Sequence, residues 1–328
     1  MRTPGAAILS LCMLACLVPP ALAQGVCVPG PNKLGVARTV TINASSGPAF
    51  GAHYKERTLL ADGEVVLTFD DGPSRAYTRP VIEALAAQCT KATFFMLGRM
   101  ALSDPQMVRE VARQGHTVAT HTWSHANLQI VPPDEAQQEI EMGFSAVQRA
   151  LGRPVAPFFR FPYLRDTALT LSHLKSRRLA IFSIDIDSRD FETKDPAAVY
   201  DRVMREVAAR RKGIILFHDI HASTAGALPR ILEELKAQGF RVVHLASKTG
   251  AETLADYDAL ALQAAERRRM AATGNPLSKR AIAWPTAVLS DAKVLDKPPT
   301  GLDKPPTPAP SRTGPPAEED WTVKFWNQ

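Results

Sequence analysis

The chain runs to 328 residues, 45% of them hydrophobic, with a formal net charge of +6. That length suits one large barrel-sized domain with flanking segments, or two modest domains, and the apolar share is enough for a sizeable core. The basic residues are dispersed, apart from Arg210-Arg211-Lys212 and Arg267-Arg268-Arg269 at the ends of helix-like stretches, so nothing here forms a nucleic-acid motif.

The N-terminus has the layout of an export signal. Arg2 supplies the positive region, residues 6–17 an apolar stretch, and Ala21-Leu22-Ala23 a small-residue cleavage site before Gln24. The apolar stretch is short for a membrane span and runs into Pro19-Pro20, and no other segment is a transmembrane candidate. The expectation is a secreted or periplasmic chain after loss of residues 1–23, with lipidation at Cys16 the weaker reading. Cys12 and Cys16 leave with the signal. Cys27 and Cys89 then either form one disulfide in an oxidising compartment, or Cys89 is a buried thiol beside a strand. The absence of any CxxC pair excludes a zinc–thiolate site.

Residues 24–63 mix Gly, Pro, Asn and Ser with one β-like run, ARTVTI, and read as an irregular arm. From Glu64 to about residue 250, strand-like runs alternate with amphipathic helices. The strands are VVLTF (65–69), ATFF (92–95), TVAT (117–120), PFFRF (157–161), AIFSI (180–184), GIILF (213–217) and RVVHL (241–245). Asp104-Pro105 and Asp195-Pro196 are helix starts, and Gly115, Gly152, Gly213 and Gly239 are stops. Seven strands, each joined to the next by a helix-sized segment, predict parallel βα units, either a barrel or an open sheet. Residues 251–275 read as a helical extension. Ten of the 26 prolines fall between Pro276 and Pro316, including LDKPPT at 295–300 and again at 302–307, so residues 276–328 cannot bury a core. That tail ends in EEDWTVKFWNQ, which is either a sticky terminus packing on its own domain or a docking peptide for an envelope partner.

The chemistry sits at the carboxyl ends of the strands, where a βα barrel keeps its site. LTFDDGP delivers Asp70 and Asp71 into a Gly-Pro turn, HTWSH sets His121 and His125 at i and i+4, and His218 closes IILFH. A catalytic zinc needs three protein ligands and one open position. The two imidazoles with Asp71 supply the three, and Asp70 is left to act as a base.

Five motifs in order closely resemble the polysaccharide deacetylases, the NodB-like carbohydrate esterases of family 4. They are TFDDGP (68–73), HTWSH (121–125), Arg160-Phe161-Pro162-Tyr163, DIDSRDF (185–191) and Leu216-Phe217-His218. The resemblance covers about residues 64–245 and neither the arm nor the tail. It implies an α/β fold, a distorted (β/α)7 barrel of NodB type, and removal of acetyl groups from an acetylated polysaccharide or oligosaccharide. It implies a divalent metal, zinc first and cobalt as the alternative, on Asp71, His121 and His125. It makes Asp70 the base, His218 the acid and Arg160 the group that holds Asp70. Asp190 tunes Arg160, His218 or both. The Tyr163 backbone N–H serves the oxyanion, while Leu216 and Phe191 wall the acetyl slot. Phe191 departs from the family's tryptophan and Leu164 from its glycine. Asp185 and Asp187 are ordinary loop acids, and His221 lines the cleft or helps position His218. His53, His116, His173 and His244 are capping, surface or core histidines.

The expected substrate is the acetamide of N-acetylglucosamine in an envelope polymer, peptidoglycan or chitooligosaccharide. The competing readings are an O-acetyl polysaccharide esterase on the same site, a non-catalytic glycan-binding wall protein, and a metal amidohydrolase of small molecules.

Overall fold

The computed structural model describes Cys27 and residues 30–54 and 59–272. The segment expected to be an export signal (1–23) and the proline-rich segment (276–328) lie outside the described residues. No helix among the described residues is long and apolar enough to cross a membrane.

All seven expected strands form: β3 (Glu64–Asp70), β4 (Thr93–Met96), β5 (Thr117–Thr120), β6 (Phe158–Phe159), β7 (Ala180–Phe182), β9 (Gly213–His218) and β10 (Arg241–Ala246). Every ladder is parallel. Strands β3 to β7 lie side by side in chain order, β9 pairs along the other side of β3, and a short β8 (Ile186–Asp187) pairs with β9. Among the described residues no ladder joins β8 to β7, so the ring stays open there and the barrel is distorted. The arm is less irregular than its composition suggests. It contributes β1 (Arg38–Thr41), which pairs with β10, and β2 (Ala49–Phe50), which takes the free side of β7. Arg38 reaches across to Glu64 with two hydrogen bonds, 2.8 and 2.7 Å. Cys27 and Cys89 are joined as a disulfide, with Cα atoms 5.3 Å apart.

Helices follow the expected punctuation, with one exception. The Asp104 side chain accepts from Met107 N–H at the start of α3 (Pro105–Arg113), and Asp195 accepts from Ala197 N–H at the start of α6 (Pro196–Arg210). Gly152 caps α4 (Pro133–Leu151) in the left-handed conformation, φ 77°. Gly213 does not stop a helix. Arg211 caps α6 at φ 60°, and Gly213 is the first residue of β9. The remaining helices are α1 (Arg75–Ala87), α2 (Gly98–Ser103), α5 (Ala168–Ser176), α7 (Ala222–Ala237) and α8 (Ala255–Ala272), and α8 packs on α4 and α2.

Strand alternation sorts the core into two layers. On β3, Val65, Leu67 and Phe69 pack against the helices, while Val66 joins an inner cluster with Phe95, Ala119, Phe158, Phe182 and Ile214. The inner face then continues by steps of two. Val66 leads to Thr68 and Asp70, Ala119 to His121, Phe158 to Arg160, and Ile214 to Leu216 and His218. Four separate strands thus aim chemistry at one barrel mouth, and the period-two pattern of apolar residues below is what aims it.

Candidate metal centre and its flanking acid and base

Two consecutive aspartates would normally face opposite sides of a strand. Asp71 escapes this because it takes a left-handed backbone, φ 72°, a conformation aspartate tolerates. Its carboxylate turns back over the mouth that Asp70 already faces. Gly72 follows with no side chain for a steric reason: a Cβ there would lie 2.3 Å from the Asp219 carboxylate.

His121 extends the inner face of β5, and its Nδ1 donates to the Arg160 carbonyl at 2.8 Å. That bond fixes the tautomer and leaves Nε2 free toward the site. His125 sits at φ 71° on a turn tied to α4. Glu139 accepts from Ser124 N–H (2.8 Å) and Ser124 Oγ (2.7 Å), its carbonyl accepts from Trp123 N–H (2.8 Å), and Thr122 Oγ1 accepts from His125 N–H (3.1 Å). Gly143 on α4 lets the helix backbone close on this turn, since a Cβ there would meet the Thr122 carbonyl carbon at 2.7 Å.

Asp71 Oδ1 lies 3.5 Å from His121 Nε2 and 3.3 Å from His125 Nε2, and one donor atom from each residue falls within 4.8 Å of the others. Oδ1 is buried and has no hydrogen-bond partner. A buried carboxylate oxygen without a donor is costly, and a cation between the three groups removes the cost. Protonation states agree. Burial pushes His121 down to about 3 and lowers His125, so both imidazoles are neutral. Burial alone would raise Asp71, but the imidazoles of His125, His218 and His121, of which His218 is the one that carries a positive charge at neutral pH, hold its carboxylate below the usual range. Two neutral imidazoles and an ionised carboxylate form a donor set compatible with a divalent metal.

Asp70 stands beside this set with its Oδ2 3.8 Å from His121 Nε2. Its Oδ1 takes Arg160 Nη1 at 2.7 Å. Arg160 is fully buried, also donates to Thr68 Oγ1 and the carbonyls of Phe182 and Ser183, and lies 4.2 Å over the Phe95 ring. Burial outweighs the arginine and raises Asp70 to about 6.

His218 is the register partner of Asp70 on the adjacent strand. Asp190 accepts from its Nδ1 at 2.6 Å and from its backbone N–H at 2.7 Å, and also from Thr224 Oγ1. Burial would lower His218, but Asp190 prevails and lifts it to about 10, so Nε2 carries a proton at neutral pH. The open choice for Asp190 resolves toward His218. Among the described residues it makes no bond to Arg160, which serves Asp70 instead. The Phe191 ring stands 5.6 Å from His218, edge to face, and Leu216 lies two residues before His218 on the inner face. The Tyr163 ring packs 4.6 Å from His125, with its backbone at φ 56°. Leu164 follows at φ 55°, a left-handed backbone that ordinarily favours glycine.

Asp185 accepts from Ile214 N–H and Asp187 from Arg189 N–H, the loop roles expected of them. The His221 ring is 5.9 Å from that of His218. His173 meets Glu141, His116 is buried against Ala92 N–H, His244 meets Thr117, and His53 meets Asp166, all apart from the donor set. Three residues escaped the sequence reading. Glu139 carried one signal, an acid at an inward position of α4 between Ala136 and Ile140. Asp219, which receives Thr78 Oγ1 at 2.5 Å and is raised by burial to about 7, and Thr224 carried none.

A family model described as polysaccharide deacetylase matches residues 60–180. The peptidoglycan-N-acetylglucosamine deacetylase PgdA of Listeria monocytogenes is 32% identical over 182 residues. That is 55% of this chain but only 37% of the relative's length. A chitooligosaccharide deacetylase of Sinorhizobium fredii is 32% identical over 191 residues, 54% of this chain and 87% of the relative. The solved peptidoglycan deacetylase Bd3279 of Bdellovibrio bacteriovorus superposes with a TM-score of 0.60 at 33% identity, over 68% of this chain and 62% of that one.

Proposed function

The chain belongs to the polysaccharide deacetylase family, and from that premise we propose that it hydrolyses the acetamide of N-acetylglucosamine units in an envelope polysaccharide, peptidoglycan first and chitooligosaccharide second. The observation that carries this reading is the flanking of one donor set by an ionisable base, Asp70, and a protonated acid, His218, each with its own buried partner. The names of the relatives supply the two candidate polymers.

Asp71, His121 and His125 would hold the metal, for which we propose zinc. When bound, it supplies a Lewis acid and lowers the pKa of neighbouring water to about 7. The residues do the rest. Asp70, kept ionised and oriented by Arg160, takes a proton from the water that attacks the acetyl carbonyl carbon. The Tyr163 N–H is the candidate donor to the negative oxygen that develops as the new C–O bond forms. His218 Nε2 gives its proton to the sugar nitrogen as the C–N bond breaks, so acetate and a free amine leave. Leu216, two residues before His218 on the inner face, and Phe191, whose ring stands 5.6 Å from that of His218, are the residues we assign to the apolar wall that receives the acetyl methyl. The same reading makes the enzyme an exported one, acting after residues 1–23 are removed.

Acetate release from peptidoglycan, chitooligosaccharides and acetylated xylan, with and without a chelator, tests the proposal. Chelator-sensitive release from one of the first two supports it. Release from xylan alone, or undiminished release in chelator, overturns it.

A further inference from the structure

Away from the barrel mouth, α2, α3, α4 and α8 enclose an open groove of about 870 Å³. Arg109, Arg149, Arg268 and Arg269 line it beside Leu102 and Ala265, and no acidic residue does. None of the four arginines makes an ion pair among the described residues. Arg109 is held in place by a 2.7 Å bond to the Ala150 carbonyl, which leaves the rest of its guanidinium to the groove. Cations at helix C-termini are ordinary, and α4 and α8 both end here. Two such ends carry only about −0.5 charge each, so four arginines leave roughly three positive charges uncompensated. A mixed cationic and apolar groove with no internal counter-charge fits an acidic ligand that also carries apolar or aromatic groups.

We propose that the occupant is this chain's own terminal segment, Glu318-Glu319-Asp320-Trp321. It holds the only run of three consecutive acids in the sequence, followed by Trp321, Phe325 and Trp326. The acids are opposite to the arginines in sign and nearly equal in number, and indole rings sit well against guanidinium groups and an apolar floor. The segment is also tethered at the right place. Helix α8 ends at Ala272, next to the groove-lining Ala271, and 45 residues separate Ala272 from Glu318. Because groove and segment belong to one chain, docking is intramolecular, and at an effective concentration of about 1 mM an intrinsic Kd of about 0.1 mM would hold the segment docked about ten to one. A free ligand needs its own supply at that concentration; the tethered segment does not.

The test is hydrogen–deuterium exchange of the full chain, read on residues 262–272 at the end of α8. Glu318→Lys with Glu319→Lys and Asp320→Lys should speed exchange there about tenfold, and 0.5 M salt should do the same to the unaltered chain. Arg268→Glu with Arg269→Glu also weakens the end of α8 locally. The decisive arm therefore combines both sets, and restored protection in the charge-swapped chain supports docking. Identical exchange in the unaltered chain and the tail variant overturns the proposal. So does protection that appears only on adding polyphosphate, equally in both, because the groove then serves an external polyanion.

Discussion

Gly143→Ala separates local helix preference from the packing that holds the metal-ligand turn. Gly143 lies in the interior of α4, where alanine is ordinarily favoured over glycine by about 1 kcal/mol. The new methyl, however, would stand 2.7 Å from the Thr122 carbonyl carbon, 2.8 Å from its oxygen and 3.0 Å from its Cα, against an ordinary contact of at least 3.4 Å. All three are backbone atoms, so no rotamer relieves the overlap, and helix and turn must part by about 0.7 Å. Overpacking of this kind costs roughly 1–3 kcal/mol, which outweighs the propensity gain and leaves a net loss of about 1 kcal/mol. The displaced residue is also the one whose Oγ1 holds His125 N–H, and the neighbouring Trp123 N–H is tied to Glu139. Zinc affinity should therefore fall about 10–100-fold, the range seen when groups that orient a ligand are lost. Urea unfolding of the chelated protein measures the first effect, and competition with a chromophoric chelator measures the second. A variant more stable than the parent, with zinc affinity within twofold, refutes the claim that this contact positions the turn.

Asp70→Asn should retain zinc but lose about 10²–10⁴-fold in turnover, because the amide cannot accept the water's proton; zinc content by mass spectrometry beside acetate release checks both halves. His218→Ala should cost far more on the acetamide than on an activated acetate ester, whose phenolate departs unprotonated, and equal losses on the two substrates would remove the acid role. Glu64→Gln addresses the arm. The bond from Arg38 holds the Glu64 carboxyl down at about 2, so its stabilisation is complete above about pH 4.5 and fades as pH falls toward 2. With Arg38 43% exposed, solvent screening limits this to about 1 kcal/mol. Urea midpoints of parent and variant should differ at pH 7 and converge near pH 2.

Seven of the strands and their parallel sense were readable because parallel strands buried on both faces are written as apolar runs between helix-sized segments. Reactive residues were readable because they stand at the ends of those runs, where an acid or histidine is conspicuous. In the arm, ARTVTI was legible as a β-like run but not its partner, since β10 comes some two hundred residues later, and Ala49–Phe50 at two residues was too short to show. Support for the site was hidden for the same reason. Glu139 and Gly143 look like an ordinary polar residue and an ordinary weak point in a helix until α4 is laid against the HTWSH turn. Asp219 acquires meaning only when its carboxylate is found beneath Gly72.

Asp70 and Asp71 are adjacent in the chain and buried in one mouth, yet their carboxyls are driven in opposite directions. Burial raises both alike, so it cannot be what separates them. Neighbours do that. Asp71 is ringed by imidazoles and stays ionised, as a ligand must at every working pH. Asp70 faces the negative Asp71, and its neighbouring cations, Arg160 (shared with a hydroxyl and two carbonyls) and His218, do not offset its burial, so its pKa climbs to about 6. A carboxylate near that value is ionised at neutral pH and still basic enough to take a proton from water. One left-handed residue at φ 72° thus turns a repeated aspartate into two groups with different tasks.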